Sequence, residues 1–183
     1  SIPSITSSIA PYTFYLCTSL AQITIASTAD LIDEYAFNIC SSLTQITIPS
    51  SVTSIGNYAF CECCKLQNVT FENPSSLISI KRHAFYKCKS LLKIIIPSKV
   101  TIIEERAFIN CISLEYVSFP PSLVSIEENA FCECLALKKV KFGEPSSLTS
   151  IGVLAFYHSQ LKNISIPSSV KSIGADAFLV KES

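Results

Sequence analysis

Charge is what this sequence has least of. Of its 183 residues, 15% are Asp, Glu, Lys or Arg while 49% are hydrophobic, and 14 basic side chains cancel 14 acidic ones. So apolar a composition excludes a disordered chain. The missing net positive charge removes the long-range attraction that phosphate backbones require, so nucleic acid is excluded as a partner. Long apolar runs are also missing. The stretches Leu91-Leu92 and Ile94-Ile95-Ile96 are broken by Lys93 and Pro97, far short of the roughly 20 residues of a membrane helix, and no transmembrane segment is expected. With 4 glycines there is no phosphate-cradling loop, and Gly56, Gly152 and Gly174 read as turn residues. The opening Ser1-Ile2-Pro3 carries neither an initiator Met nor a signal peptide, which predicts a piece of a longer chain.

What the sequence does have is a period. Phe14 is followed by Ala36-Phe37, Ala59-Phe60, Ala84-Phe85, Ala107-Phe108, Ala130-Phe131, Ala155-Phe156 and Ala177-Phe178, at steps of 22 to 25 residues and mostly 23. Self-similarity at that spacing is the signature of a solenoid. The repeat running Leu43-x-x-Ile46-x-Ile48-Pro49-Ser50-Ser51-Val52-x-x-Ile55-Gly56-x-x-Ala59-Phe60-x-x-Cys63 serves as template. Ile46-x-Ile48 alternates as a strand does, and Pro49 ends it by removing a ladder donor. Val52-x-x-Ile55 is expected to turn the chain. Ala59-Phe60-x-x-Cys63-x-x-Leu66 has the spacing of a short helix or 3-10 segment.

The predicted fold is an α/β solenoid: a right-handed coil of about seven full repeats plus partial ends, 1–183 forming one domain. Strands starting near Leu20, Leu43, Leu66, Leu91, Leu114, Leu137 and Leu161 are expected to pair in parallel into a curved sheet roughly 30 Å across. The two longer repeats carry their additions at one place: Glu72-Asn73-Pro74 and Gly143-Glu144-Pro145. Their flanks match too, Cys61-Glu62-Cys63 against Cys132-Glu133-Cys134, which implies duplication of a three-repeat block.

This pattern resembles the BspA-like, or Treponema pallidum-type, leucine-rich repeats over essentially the whole chain. The resemblance implies an extracellular or surface-anchored protein of mucosal bacteria or parasitic protists, often an adhesin for host matrix proteins or other microbes. It departs from the commonest leucine-rich repeats in lacking their Asn ladder and in placing a Cys column after the Phe. No capping module is visible at either end.

Cys17, Cys40, Cys63, Cys88, Cys111 and Cys134 form that column, three residues after each Phe. They read as structural, because stacked side chains point the same way and free Cys packs as a small hydrophobe. Cys61, Cys64 and Cys132 lack partner ligands at zinc spacing, so no metal site and no cofactor are expected. The two histidines, His83 and His158, lie three repeats apart at non-equivalent positions, which argues against a catalytic triad. Glu104-Glu105-Arg106 and Glu127-Glu128-Asn129 read as a solvated convex face with acids suited to a helix start.

Outward strand positions form two columns: Gln22, Gln45, Asn68, Lys93, Tyr116, Lys139, Asn163, and Thr24, Thr47, Thr70, Ile95, Ser118, Lys141, Ser165. From Lys93 onward a plain Gln/Thr/Asn ladder gains an aromatic and positive charge. The candidate binding patch is therefore Lys93, Ile95, Tyr116, Ser118, Lys139 and Lys141 on the concave sheet; the alternative is that β propensity alone selects these residues. Asn68-Val69-Thr70 and Asn163-Ile164-Ser165 are glycosylation sequons on the same face. The expected function is a non-catalytic module binding a protein ligand, such as a host matrix or cell-surface protein, at the cell surface or after secretion. The alternative is a cytoplasmic scaffold, consistent with reduced cysteines. Self-association through exposed stack ends is a further expectation.

Overall fold

A computed structural model describes residues 8–180. They form a parallel-sheet β-solenoid of about seven turns with about 23 residues per turn. Two sheets run along the stack. One has eight strands of two residues: β1 (Ser8–Ile9), β2 (Leu31–Ile32), β4 (Ser54–Ile55), β6 (Ser79–Ile80), β8 (Ile102–Ile103), β10 (Ser125–Ile126), β12 (Ser150–Ile151) and β13 (Ser172–Ile173), in that order. The other has five strands, β3 (Gln45–Ile48), β5 (Asn68–Phe71), β7 (Lys93–Ile95), β9 (Tyr116–Ser118) and β11 (Lys139–Lys141). The segment expected only to turn the chain thus builds a sheet of its own. Val52 N–H closes the turn on the Pro49 carbonyl, and Ile55 then pairs in register between Ile32 and Ile80.

The expected helical or 3-10 segment does not form: no helix occurs among the described residues. Around each Phe the chain makes consecutive turns, as in Ala36 N–H to Asp33 O, Asn38 N–H to Tyr35 O and Cys40 N–H to Phe37 O. The intervening N–H groups of Tyr35, Phe37 and Ile39 point to the next coil, bonding Asn57, Ala59 and Cys61 carbonyls at 2.7–2.9 Å. A helix would spend every N–H within its own coil; alternate use of donors leaves half of them to bind the coils together. The geometry requires φ near +55° to +61° two residues before and after the Phe, at Tyr35 and Ile39 and at their counterparts in other coils. No glycine holds any of these positions. Left-handed backbone costs about 1–2 kcal/mol for an L-residue, offset here by the inter-coil bonds that it aims. Gly56 serves a different purpose, since a Cβ there would stand 2.6 Å from the backbone of Asp33 and Glu34 in the coil before.

The core is continuous from Ile9 to Ala177. Its axis is a column of Phe rings, Phe14, Phe37, Phe60, Phe85, Phe108, Phe131, Phe156 and Phe178, with centroids 5.0–5.4 Å apart and planes within 3–7° of parallel. The Cys column runs beside it. Each thiol of Cys40, Cys63, Cys88, Cys111 and Cys134 donates to the carbonyl of the Phe one coil back, at 3.1–3.3 Å. The next coil places Ser159 there, fully buried. The column is thus a hydrogen-bonding device as well as a packing one.

The strand count also differs from expectation. Of seven predicted strands in the longer sheet, those near Leu20 and Leu161 do not form. The 21–26 segment is tied to the next coil through Thr44, whose N–H and hydroxyl both donate to the Ala21 carbonyl; the opening Ser1-Ile2-Pro3 lies outside the described residues.

Candidate protein-binding face

Both two-residue additions follow a strand of the longer sheet, and both disrupt the pairing beyond them. After β5 come Glu72-Asn73-Pro74, and β5 then meets β7 at one register pair, Asn68 with Lys93. By contrast β3 pairs β5 over four residues and β7 pairs β9 over three. After β11 come Gly143-Glu144-Pro145, and the following coil adds no strand to the longer sheet. Extra length in one turn displaces the end of its strand from the neighbour, and a parallel ladder cannot follow the shift. The three strands β7, β9 and β11 therefore stand as one fully paired block with a break on either side.

The outward residues of that block are Lys93, Ile95, Tyr116, Ser118, Lys139 and Lys141, in two registered rows: Lys93–Tyr116–Lys139 and Ile95–Ser118–Lys141. Inward Ile94 and Val117 are buried. Ile95 is 58% exposed. The Lys139 ammonium lies 5.9 Å from the Tyr116 ring centroid, within reach of cation–π attraction. None of Lys93, Lys139 and Lys141 enters an ion pair among the described residues. The structure thus brings the six predicted positions together, while Gln22, Thr24, Asn163 and Ser165 are exposed but lie outside any ladder. Asn68 is exposed on β5, across the break.

The break between β5 and β7 is a cavity of about 430 Å³, walled by Phe71, Glu72, Lys93, Ile95, Pro97 and Ser98. Sequence reasoning located the addition but not its consequence. Strand pairing is a relation between coils, which no single repeat displays.

The Glu104-Glu105 segment is not a loosely solvated face, whereas Glu127 and Glu128 enter no ion pair among the described residues and Glu128 is exposed. Lys81 bonds Glu104 at 2.8 Å, Glu105 is shared by Arg82 and Arg106, and His158 Nδ1 meets Glu133 at 3.0 Å. Through Lys81, Arg82 and His158, the acids Glu104, Glu105 and Glu133 tie neighbouring coils together rather than begin helices, and Arg106 pairs with Glu105 inside one coil. Beside them runs a second ring stack that the sequence reading missed, Tyr12–Tyr35–Tyr58–His83, spaced 4.9, 4.9 and 4.5 Å. Its members stand two residues before Phe14, Phe37, Phe60 and Phe85, which is the signal that could have found it.

Burial, then the Arg106 charge, lowers the pKa of His83 below its ordinary value of 6.5; Arg82 acts the same way and Glu105 opposes them. The folded state therefore prefers neutral His83, and on acidification the unfolded chain takes up the proton first. Stability is full above about pH 6.5 and declines as pH falls through that value. His83→Tyr, which continues the tyrosine stack, should flatten the decline in melting temperature between pH 7.5 and 5.5. An unchanged slope would assign the dependence elsewhere.

No group of three or more potential metal ligands occurs among the described residues, and no helix among them is long and apolar enough to cross a membrane. All nine cysteines are free.

The BspA type leucine rich repeat region profile, in 6 copies, matches residues 1–75 and 70–181. The chain is similar to a leucine rich cell surface protein from Faecalibacterium prausnitzii, at 35% identity over 86% of this chain with a TM-score of 0.75. It is also similar to a leucine-rich repeat protein from Eubacterium ventriosum, at 28% identity over 90% of this chain and a TM-score of 0.80. It spans 43% of the length of each of those two proteins. The T. pallidum leucine rich repeat protein shares 28% identity over 78% of this chain and 76% of its own, with a TM-score of 0.57. No curated protein matches the chain. With residues 1–181 covered by one repeat profile, the chain belongs to the BspA-type leucine-rich repeat family, whose members are generally protein-interaction modules.

Proposed function

We propose that this chain is a non-catalytic recognition module that binds a protein through the outward face of β7, β9 and β11, as a surface adhesin does. The observation that carries the reading is the coincidence of two independent features. The only paired strands bounded on both sides by an addition are also those where Lys, Tyr and Ile replace Gln and Thr among the described residues. A half-buried aromatic flanked by cations without carboxylate partners has the composition of an interaction hot spot. Cell-surface placement is supported by the similarity to the Faecalibacterium cell surface protein. Glycans on Asn68 and Asn163, if the native protein passes through a glycosylating route, would flank the block and leave it open. The free thiols favour a second reading, a cytoplasmic scaffold using the same face.

The test compares the parent with Tyr116→Ala/Lys139→Glu on immobilised host extracellular-matrix proteins and on cytosolic proteins of the source cell. The double variant should fold normally, since neither side chain belongs to the core, and should bind at least about tenfold more weakly. Parent binding to matrix supports the adhesin; binding confined to cytosolic protein supports the scaffold. Equal binding by parent and variant, with loss on charge reversal at Glu104, Glu105 or Glu127, would move the site to the opposite side.

A further inference from the structure

The face of the β7–β11 block and the break beside it differ in chemistry, and their separation describes a ligand. Resting on the docking face proposed above, we infer that the partner presents an extended peptide segment lying across the strands, with an apolar side chain in the β5–β7 break and acidic side chains over Lys139 and Lys141.

The break is large enough for one Leu- or Phe-sized side chain at about 430 Å³. Its walls are chiefly apolar, with Phe71, Ile95, Ile96 and Pro97 contributing, and Ile95 stands 58% exposed at its edge. Glu72 also lines it, but its Oε2 accepts the Ser50 N–H at 3.0 Å, which fixes that carboxylate toward the neighbouring turn. Lys93 lies at the rim on the side of the block. Beyond it are Tyr116 and then Lys139 and Lys141, with no carboxylate paired to any of the three lysines among the described residues. The exposed acids nearest in sequence, Glu115 and Glu144, fall outside β9 and β11. An apolar hole followed by an unneutralised basic strip is complementary to an apolar residue followed by acids.

Strand spacing sets the separation. The break and β11 lie between two and three strand intervals apart, about 12 Å at 4.8 Å each. An extended peptide advances about 3.3 Å per residue, so the acids should fall three to five positions from the apolar anchor. A sulfated glycan would neutralise the lysines but leave the apolar walls of the break uncovered, which is why a peptide is the better fit.

The probe is a fluorescein-labelled peptide, Phe-Ser-Thr-Ser-Glu-Asp, titrated with the whole chain and followed by anisotropy and by NMR shift changes. Binding should weaken about tenfold when Ala replaces its Phe, and about as much with Lys139→Glu/Lys141→Glu. Added salt should weaken it through the acids alone. Thr70→Phe, at an exposed position lining the break, should block the Phe and spare the salt dependence. No binding, or equal binding by the Ala peptide, overturns the anchor. Heparin binding to the lysines while the peptide does not would replace the peptide with a polyanion. Failure here with matrix binding still lost in Tyr116→Ala/Lys139→Glu would sink the segment only; matrix binding unaffected by that variant would sink the face itself.

Discussion

Phe108→Ala should be the most damaging single change in the molecule, lowering stability by about 3–5 kcal/mol. Phe108 is fully buried and stacked between Phe85 and Phe131 at 5.1 and 5.0 Å. Removing the ring opens a cavity with a Phe on each side, and the backbone cannot close it, because Phe108 N–H is bonded to Ala130 and its carbonyl receives the Cys134 thiol. Two ring contacts are lost as well, each contributing about 0.5–1.5 kcal/mol beyond buried area. Coils in a solenoid are coupled to their nearest neighbours alone, so the break should also divide the array. Urea unfolding followed by circular dichroism should show the single parent transition split or broadened, with a melting temperature lower by roughly 10 °C. Phe178→Ala is the control: that ring is half-buried and stacked on Phe156 within the described residues, and its loss should cost far less. Equal effects at the two positions would show that stability does not reside in the stack.

The second large effect is on thiol chemistry. At pH 8 the native chain should react with iodoacetamide first at Cys64 and Cys17, which are half-buried, and orders of magnitude more slowly at the other seven. Burial pushes the thiols of Cys40 and Cys61 up to about 12 and that of Cys132 up to about 11. Those of Cys63, Cys88, Cys111 and Cys134 are likewise raised well above the ordinary value by burial. The thiolate is the nucleophile, so a rise from about 9 to about 12 lowers its fraction roughly a thousandfold before access is considered. Urea should release all nine together at the unfolding midpoint, as counted by mass spectrometry. Prompt native labelling of Cys88 or Cys111 would show that the column is open to solvent.

The duplicated additions link these core properties to the binding face. The Phe column continues through both longer repeats and the Cys column through the first, with Ser159 taking its place in the second, whereas the longer sheet narrows to one register pair in the first and ends before the second. An array of this kind can alter the pairing of one face while its core stays periodic. The surface between Lys93 and Lys141 can therefore be altered at little cost to stability, since its outward side chains carry no packing duty.

Repeat boundaries, the Phe and Cys columns and the inward Ile46-x-Ile48 positions were all legible in the amino-acid sequence, because each is a property of one coil copied along the chain. The outward rows were legible too, since alternation on a strand determines which side chains leave the core. The helical segment was misread because Ala59-Phe60-x-x-Cys63 has an apolar spacing that a helix and a run of turns share. Only stacking distinguishes them, by drawing Tyr35, Phe37 and Ile39 N–H groups to the next coil and forcing non-glycine residues to positive φ. The second sheet at Ser54–Ile55 was hidden for a related reason: two residues per coil show no alternation, and a strand so short exists by virtue of identical neighbours above and below. Tertiary structure alone decided the break beside Lys93 and the ion pairs of Glu104 and Glu105, because both depend on the offset between one coil and the next.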